Sequence, residues 1–151
     1  MPLFYRICLA QYSTALVASG RAGRWNIKGR AVIYASESRS LACLENLAHR
    51  SGPGPSGEFR VLVLEVPDEL HISTVHLTDL SIGWRSLTDL RECQRIGEDW
   101  ILKGESAFLR VPSVIIPEEN NVVINTMHPD FRSVKVREVL PFLFDPRMES
   151  Q

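Results

Sequence analysis

The chain has 151 residues, 44% of them apolar and 23% charged, a length at which one domain buries roughly 70% of the surface its unfolded chain exposes, so neither disulfides nor a structural metal are needed to hold it. Seventeen Lys and Arg against eighteen Asp and Glu give a formal net charge of -1, which excludes the broad basic field that nucleic-acid binding draws on. Cys8, Cys43 and Cys93 are odd in number and lack CxxC spacing, Arg6, Gln11 and Ser13 interrupt any signal-peptide core, and no apolar run approaches the ~18 residues of a membrane span, so a cytoplasmic protein with small buried thiols is expected.

Along the chain, Leu3 to Leu9 alternates with period two and predicts a half-buried strand with Arg6 opposite in direction to Tyr5. The stretch from Ser19 to Asn26 is rich in Gly and polar residues and reads as a loop leading into a second strand at Ala31 to Ala35. Good helix formers follow from Ser38 to His49, with Ser36 or Ser38 as N-cap and Gly52-Pro53 as the stop. A turn cluster from Gly52 to Gly57 precedes the apolar run Phe59 to Val66, which Pro67 ends and which has the character of a central strand. Leu87, Leu90, Cys93, Ile96 and Trp100 recur at helical spacing and predict a second helix over Thr88 to Leu102, with Gly97 out of place in its middle. Short strands are expected at Ala107–Val111, Val114–Ile116, Val122–Asn125 and Ser133–Val139. This mixture lacks regular βαβ alternation, so the class is α+β: one domain, residues 1–151, with a mixed sheet flanked by helices.

Few residues point to chemistry on their own. Leu41, Leu44, Glu45 and Ala48 fall at the spacing of a core-facing helical stripe, and one of the four is a carboxylate. Glu45 then either sits at the stripe's edge and reaches water, or is a catalytic carboxylate facing a cleft. Arg24 in a Gly-rich loop reads as a solvated cation, Tyr34 in a strand as core packing with a partner for its hydroxyl, and Ser113 after Pro112 as a turn serine. His49, His71, His76 and His128 lack HExxH spacing, and no metal site is expected; there is no GxSxG and no phosphate-binding Gly loop.

Taken together, Gly23-Arg24-Trp25-Asn26, Val32-Ile33-Tyr34-Ala35, Leu41-Ala42-x-Leu44-Glu45-x-Leu47-x-His49, Val111-Pro112-Ser113, Asn125 and His128-Pro129 occur in the order seen in RES-domain proteins. The resemblance runs from Tyr5-Arg6 through Phe144-Asp145, and the Arg, Glu and Ser that name the family map to Arg24, Glu45 and Ser113. One departure is Ala22 where family members often have a second glycine before the Arg, a change that restricts positive φ in the loop.

The resemblance implies a fold similar to mono-ADP-ribosyltransferase toxins, the toxin role in a type II toxin–antitoxin system, growth arrest by breaking the nicotinamide–ribose bond of NAD, and an antitoxin partner with a helix-turn-helix domain. It leaves room for a toxin homodimer within that complex. Arg24, Tyr34 and Glu45 are the expected catalytic set, and Arg6, Arg24, Tyr34 and Ser113 the expected NAD-binding set. NAD is the substrate and no further cofactor is implied. Loss of neutral nicotinamide leaves positive charge on the ribose, for which Glu45 is the natural stabiliser. The guanidinium groups of Arg6 and Arg24 suit the diphosphate. Tyr34 is expected to stack on nicotinamide and Ser113 to hydrogen-bond the ligand, with Asn26, His49 and Asn125 shaping the pocket. A protein mono-ADP-ribosyltransferase is the nearest alternative, and a non-catalytic module on the same fold the more distant one.

Overall fold

A computed structural model describes residues 1–49 and 57–148. Its elements in chain order are β1 (Leu3–Leu9), β2 (Val32–Ser36), α1 (Arg39–His49), β3 (Phe59–Glu65), β4 (Ile72–Thr74), α2 (Arg91–Lys103), β5 (Phe108–Pro112), β6 (Asn120–Asn125) and β7 (Lys135–Phe142). The seven strands form one sheet in the order β4-β5-β6-β2-β1-β3-β7. The β4–β5 pair is parallel and the others antiparallel, so this single domain is α+β with a mixed sheet, as expected.

Alternation along the strands sorts side chains onto two faces. One face carries Tyr5, Ile7 and Leu9 of β1, Phe59 and Val61 of β3, Val32, Tyr34 and Ser36 of β2, and Leu109, Val111, Asn121 and Val123. Helix α1 covers its β1–β3 part through Ala42, Cys43 and Leu47, and α2 covers its β2–β6–β5 part through Cys93, Ile96, Trp100 and Ile101. The other face, with Phe4, Cys8, Ile33, Ala35, Leu62, Leu64, Phe108, Val122 and Ile124, is closed by irregular chain contributing Leu16, Ala18, Leu70, Phe131 and Val134. Because both helices lie on one face, the ground between them is where polar residues of the sheet can meet.

The two halves of the sheet meet at a narrow seam. β1 and β2 share one register pair, Tyr5 with Ser36, whereas β1 and β3 run in register along their whole length. Arg6 leaves β1 with Phe4 and Cys8, and its Nη1 donates to the Tyr34 carbonyl across the seam at 2.9 Å.

Several boundaries differ from the expectation for local reasons. The Leu41-Leu44-Glu45-Ala48 stripe is not the buried face of α1: Leu41, Ala42 and Cys43 are buried while Leu44 and Ala48 are exposed. The helix rests on β1 through the latter part of its first turn, and Glu45 lies at the boundary. Ser38 is the cap, its Oγ accepting from the Leu41 amide at 3.0 Å, while Gly52-Pro53 and most of the following turn lie outside the described residues. α2 starts three residues later than predicted because the Ser86 hydroxyl accepts from the Thr88 and Asp89 amides and holds them in a turn; Gly104 ends it in the left-handed conformation.

Val114–Ile116 is not a strand. The Ser113 Oγ takes the amides of Ile115 and Ile116 and turns the chain out of β5. β7 begins at Lys135 because His128 caps a 3-10 turn over Pro129–Ser133. β4 was not foreseen, since three half-exposed residues carry no legible period. Cys8, Cys43 and Cys93 are buried, as expected. Among the described residues no non-glycine residue has positive φ, so Ala22 is accommodated without strain. No helix among the described residues is long and apolar enough to cross a membrane.

Candidate active site

Two hydrogen-bonded networks stand on neighbouring positions of one strand, β2. Tyr34 and Ser36 are two residues apart and point to the same face, a Cα separation of ~7 Å. Tyr34 organises the loop that carries Arg24; Ser36 organises the groups around Glu45.

In the first network the Tyr34 hydroxyl donates to Asn26 Oδ1 at 2.5 Å and accepts from the Trp25 amide at 3.0 Å. Asn26 is fully buried and its amide nitrogen donates to the carbonyls of Arg21 and Ile27. Burial holds the Tyr34 phenol protonated, well above its ordinary range. With both hydroxyl functions engaged, Tyr34 has a ring to offer a ligand, not a proton. Helix α2 secures the same loop from above: Gln94 Nε2 donates to the carbonyls of Gly23 and Asn26, and Gly97 lets the helix lie directly on the Trp25 backbone.

The Arg24 guanidinium spans two carbonyls, Nη1 to Trp84 and Nη2 to Ser86, each at 2.8 Å. It therefore pins the 84–86 loop, and burial beside it pushes the Cys93 thiol up, an effect that Arg24 partly opposes. Arg6 is also largely enclosed, and desolvation lowers its pKa.

The second network surrounds Glu45, whose side chain is 19% exposed. Its Oε2 accepts from the Ser113 hydroxyl at 3.0 Å and from Asn121 Nδ2 in a short contact. Asn121 is paired in register with Ser36 on one side and Val111 on the other, and its Oδ1 accepts from the Ser36 hydroxyl at 2.6 Å. His49, one turn along α1, brings Nε2 to 3.8 Å from Glu45 Oε1, and its side chain is 81% exposed.

The expected residues thus divide. Tyr34, Arg24 and Asn26 are tied together at one point along β2, and Glu45, Ser113 and His49 at the next, where Ser36 reaches Asn121. Arg6 joins at the seam through the Tyr34 carbonyl. Asn125 does not join them: it sits at the far end of β6 from Asn121 and its side chain accepts from the Met127 amide. Sequence reasoning missed Ser36, Gln94 and Asn121. Ser36 reads as a helix cap and Asn121 falls just outside the expected Val122–Asn125 strand, and only strand register makes them neighbours.

Two depressions flank the networks. One, of about 510 Å³, is lined by Thr88, Asp89, Leu90, Arg91 and Gln94. The other, of about 460 Å³, is lined by Glu37, Ser38, Ser40, Glu118, Glu119 and Asn120, and its three carboxylates disfavour an anionic ligand there.

A helix-borne carboxylate fixed by neutral donors, beside a strand tyrosine and a guanidinium-bearing loop, forms the polar centre of this α+β fold. The chain belongs to the RES domain family, whose model matches residues 3–145. It is 42% identical over 128 residues to a Sphingobium sp. (strain YBL2) protein described as "Prs ADP-ribosylating toxin", covering 83% of this chain and 80% of that one. It is 35% identical over 152 residues to "Toxin Res" of Yersinia enterocolitica serotype O:8, covering 97% of this chain and 99% of that one. Among solved structures it resembles the M. tuberculosis MbcT-MbcA toxin–antitoxin complex, with TM-score 0.72, 18% identity, and coverage of 93% of this chain and 83% of that chain, a likeness of fold.

Proposed function

We propose that this protein is the toxin of a toxin–antitoxin pair and that it cleaves the nicotinamide–ribose bond of NAD. The observation that carries the reading is the state of Glu45: a carboxylate held through Oε2 by Ser113 and Asn121, with Oε1 turned toward the exposed His49 side. As the bond to nicotinamide breaks, its electron pair leaves with the neutral base and positive charge develops on the ribose. A fixed carboxylate costs no reorganisation at that moment and stabilises the charge only as it appears. The relatives' names, toxins in each case and an ADP-ribosylating one in the most identical of those above, support the same assignment.

In this reading the Tyr34 ring stacks on the nicotinamide and Arg24 faces the diphosphate with the N–H groups that its carbonyl bonds leave over, while Arg6, which leaves β1 on the opposite face of the sheet, serves the site by holding the Tyr34 carbonyl. Ser113 acts through Glu45 rather than on the ligand, because its one proton goes to Glu45 and its lone pairs take two backbone amides. Water or phosphate accepts the ADP-ribosyl group. A protein acceptor is the second reading, favoured by the name of the Sphingobium relative. Action in the cytoplasm and silencing by an antitoxin with a helix-turn-helix domain that covers the cleft complete the proposal.

Incubation of the purified protein with NAD, with and without phosphate, followed by mass spectrometry of all products, tests it. Free nicotinamide with ADP-ribose or its phosphate is expected; an unchanged NAD pool in a protein that still arrests growth rejects NAD as substrate.

Arg24→Ala is expected to weaken NAD binding by roughly 10–100-fold, as the loss of a charged hydrogen-bonding group does, with a smaller effect on kcat at saturation because the diphosphate is charged in ground and transition states alike. Arg24→Lys does not restore it, since an ammonium cannot span the Trp84 and Ser86 carbonyls as the planar fork does. Isothermal titration with NAD measures both; unchanged affinity in Arg24→Ala removes Arg24 from the binding set.

A further inference from the structure

We infer that Asn121, oriented by Ser36, is a positioning residue that fixes Glu45 through Oε2 and leaves Oε1 as its working oxygen. The inference rests on the reading of Glu45 as the carboxylate that meets the ribose.

The chain of bonds has only one consistent direction. A carboxylate is an acceptor, so the Asn121 group facing Glu45 must be its NH₂. The amide carbonyl then faces Ser36, which must donate its hydroxyl proton to it, and the 2.6 Å separation fits that bond. Ser36 is 3% exposed, so no bulk water competes for its proton. The same counting applies to Ser113, which is fully buried, gives its proton to Glu45 Oε2 and accepts the Ile115 and Ile116 amides. Oε2 is thus committed to two donors from β5's end and β6, while Oε1 has the exposed His49 at 3.8 Å. The end of β5 and β6 meet the carboxylate of α1 directly and β2 acts through Asn121, and the register pairs Ser36–Asn121 and Val111–Asn121 fix Asn121 on an interior strand of its half-sheet. The neutrality of the amide matters: it aims the carboxylate without sharing a proton with it.

Asn121→Ala, Asn121→Asp, Ser36→Ala and the Ser36→Ala/Asn121→Ala double variant test this by steady-state nicotinamide release across pH. Asn121→Ala should lower kcat roughly 10–100-fold with KM within about twofold, the signature of a group that serves the transition state through another. Ser36→Ala should lower kcat about 3–10-fold, because the amide is then free to turn its carbonyl toward Glu45. The double variant should be no worse than Asn121→Ala, since Ser36 acts only through Asn121.

Asn121→Asp keeps the shape but sets two carboxylates against each other, which hold a proton between them. The acidic limb of its rate profile should move to higher pH, which a residue of purely structural importance would not cause, and this variant decides the matter if Asn121→Ala folds poorly. A wild-type kcat in Asn121→Ala, Ser36 and Asn121 effects that multiply, or an unmoved profile in Asn121→Asp overturns the inference. If the wild type releases no nicotinamide, the NAD reading fails by itself. The same ranking of variants, scored as growth arrest on induction beside Glu45→Gln, then still decides the role of Asn121.

Discussion

Glu45→Gln is expected to lower kcat for NAD cleavage by roughly 10²–10³ while KM scarcely moves. The geometry makes this substitution unusually clean. The Gln carbonyl can take the place of Oε2 and accept from Ser113 and Asn121 as the carboxylate does, so the amide nitrogen falls where Oε1 stood. Shape and hydrogen bonding on the buried side survive, and only the charge on the side of the exposed His49 is lost. Because that charge acts on the transition state and not on bound NAD, titration calorimetry should give a near wild-type affinity. Nicotinamide release at the wild-type rate would falsify the role given to Glu45; loss of binding with turnover intact would assign it to substrate capture instead.

Gly97→Ala is expected to destabilise the fold by about 3 kcal/mol, the upper end of the ordinary cost of overpacking. On helix propensity alone the change should help, since Ala exceeds Gly by about 1 kcal/mol in a helix interior. The packing decides against it: a β-carbon at Gly97 would lie 1.6 Å from the Trp25 carbonyl oxygen and 2.8 Å from its carbon, and these are backbone atoms that no rotamer change can move aside. Either α2 lifts from the sheet, opening the cluster of Trp25, Trp84, Cys93 and Trp100, or the loop carrying Arg24 shifts. Urea denaturation should show the lower midpoint, and a melting temperature lower by several degrees should accompany it. Activity should fall as well, because Gln94, one turn before Gly97, holds the Gly23 and Asn26 carbonyls. Equal or greater stability than wild type would mean that helix and loop do not touch as described.

The sequence by itself determined the class of fold, the Leu3–Leu9 and Phe59 strands, both helices to within a few residues, the burial of the three cysteines and, through a long ordered series of matches, the family. These are properties of local pattern: period two or 3.6, capping residues, and residue types at fixed order. Tertiary structure decided the rest. Which face of α1 is buried depended on the sheet beneath it, so Leu44 turned outward and Glu45 came to the boundary although spacing grouped them with Leu41. Val114–Ile116 has the composition of a strand, yet one hydroxyl, Ser113, captured its amides and made a turn.

Asn121 and Ser36 are 85 residues apart in sequence, and nothing in either segment announces the other; antiparallel register alone puts them side by side. Tyr34 and Arg24 were legible as candidate site residues, but not that the Tyr34 hydroxyl is spent on Asn26 and Trp25 and two Arg24 nitrogens on the 84–86 carbonyls. A sequence specifies which donors and acceptors exist, while their partners follow from which strands pair and which helix covers them. The carboxylate's environment is therefore a property of the sheet, although the carboxylate itself is a property of the helix.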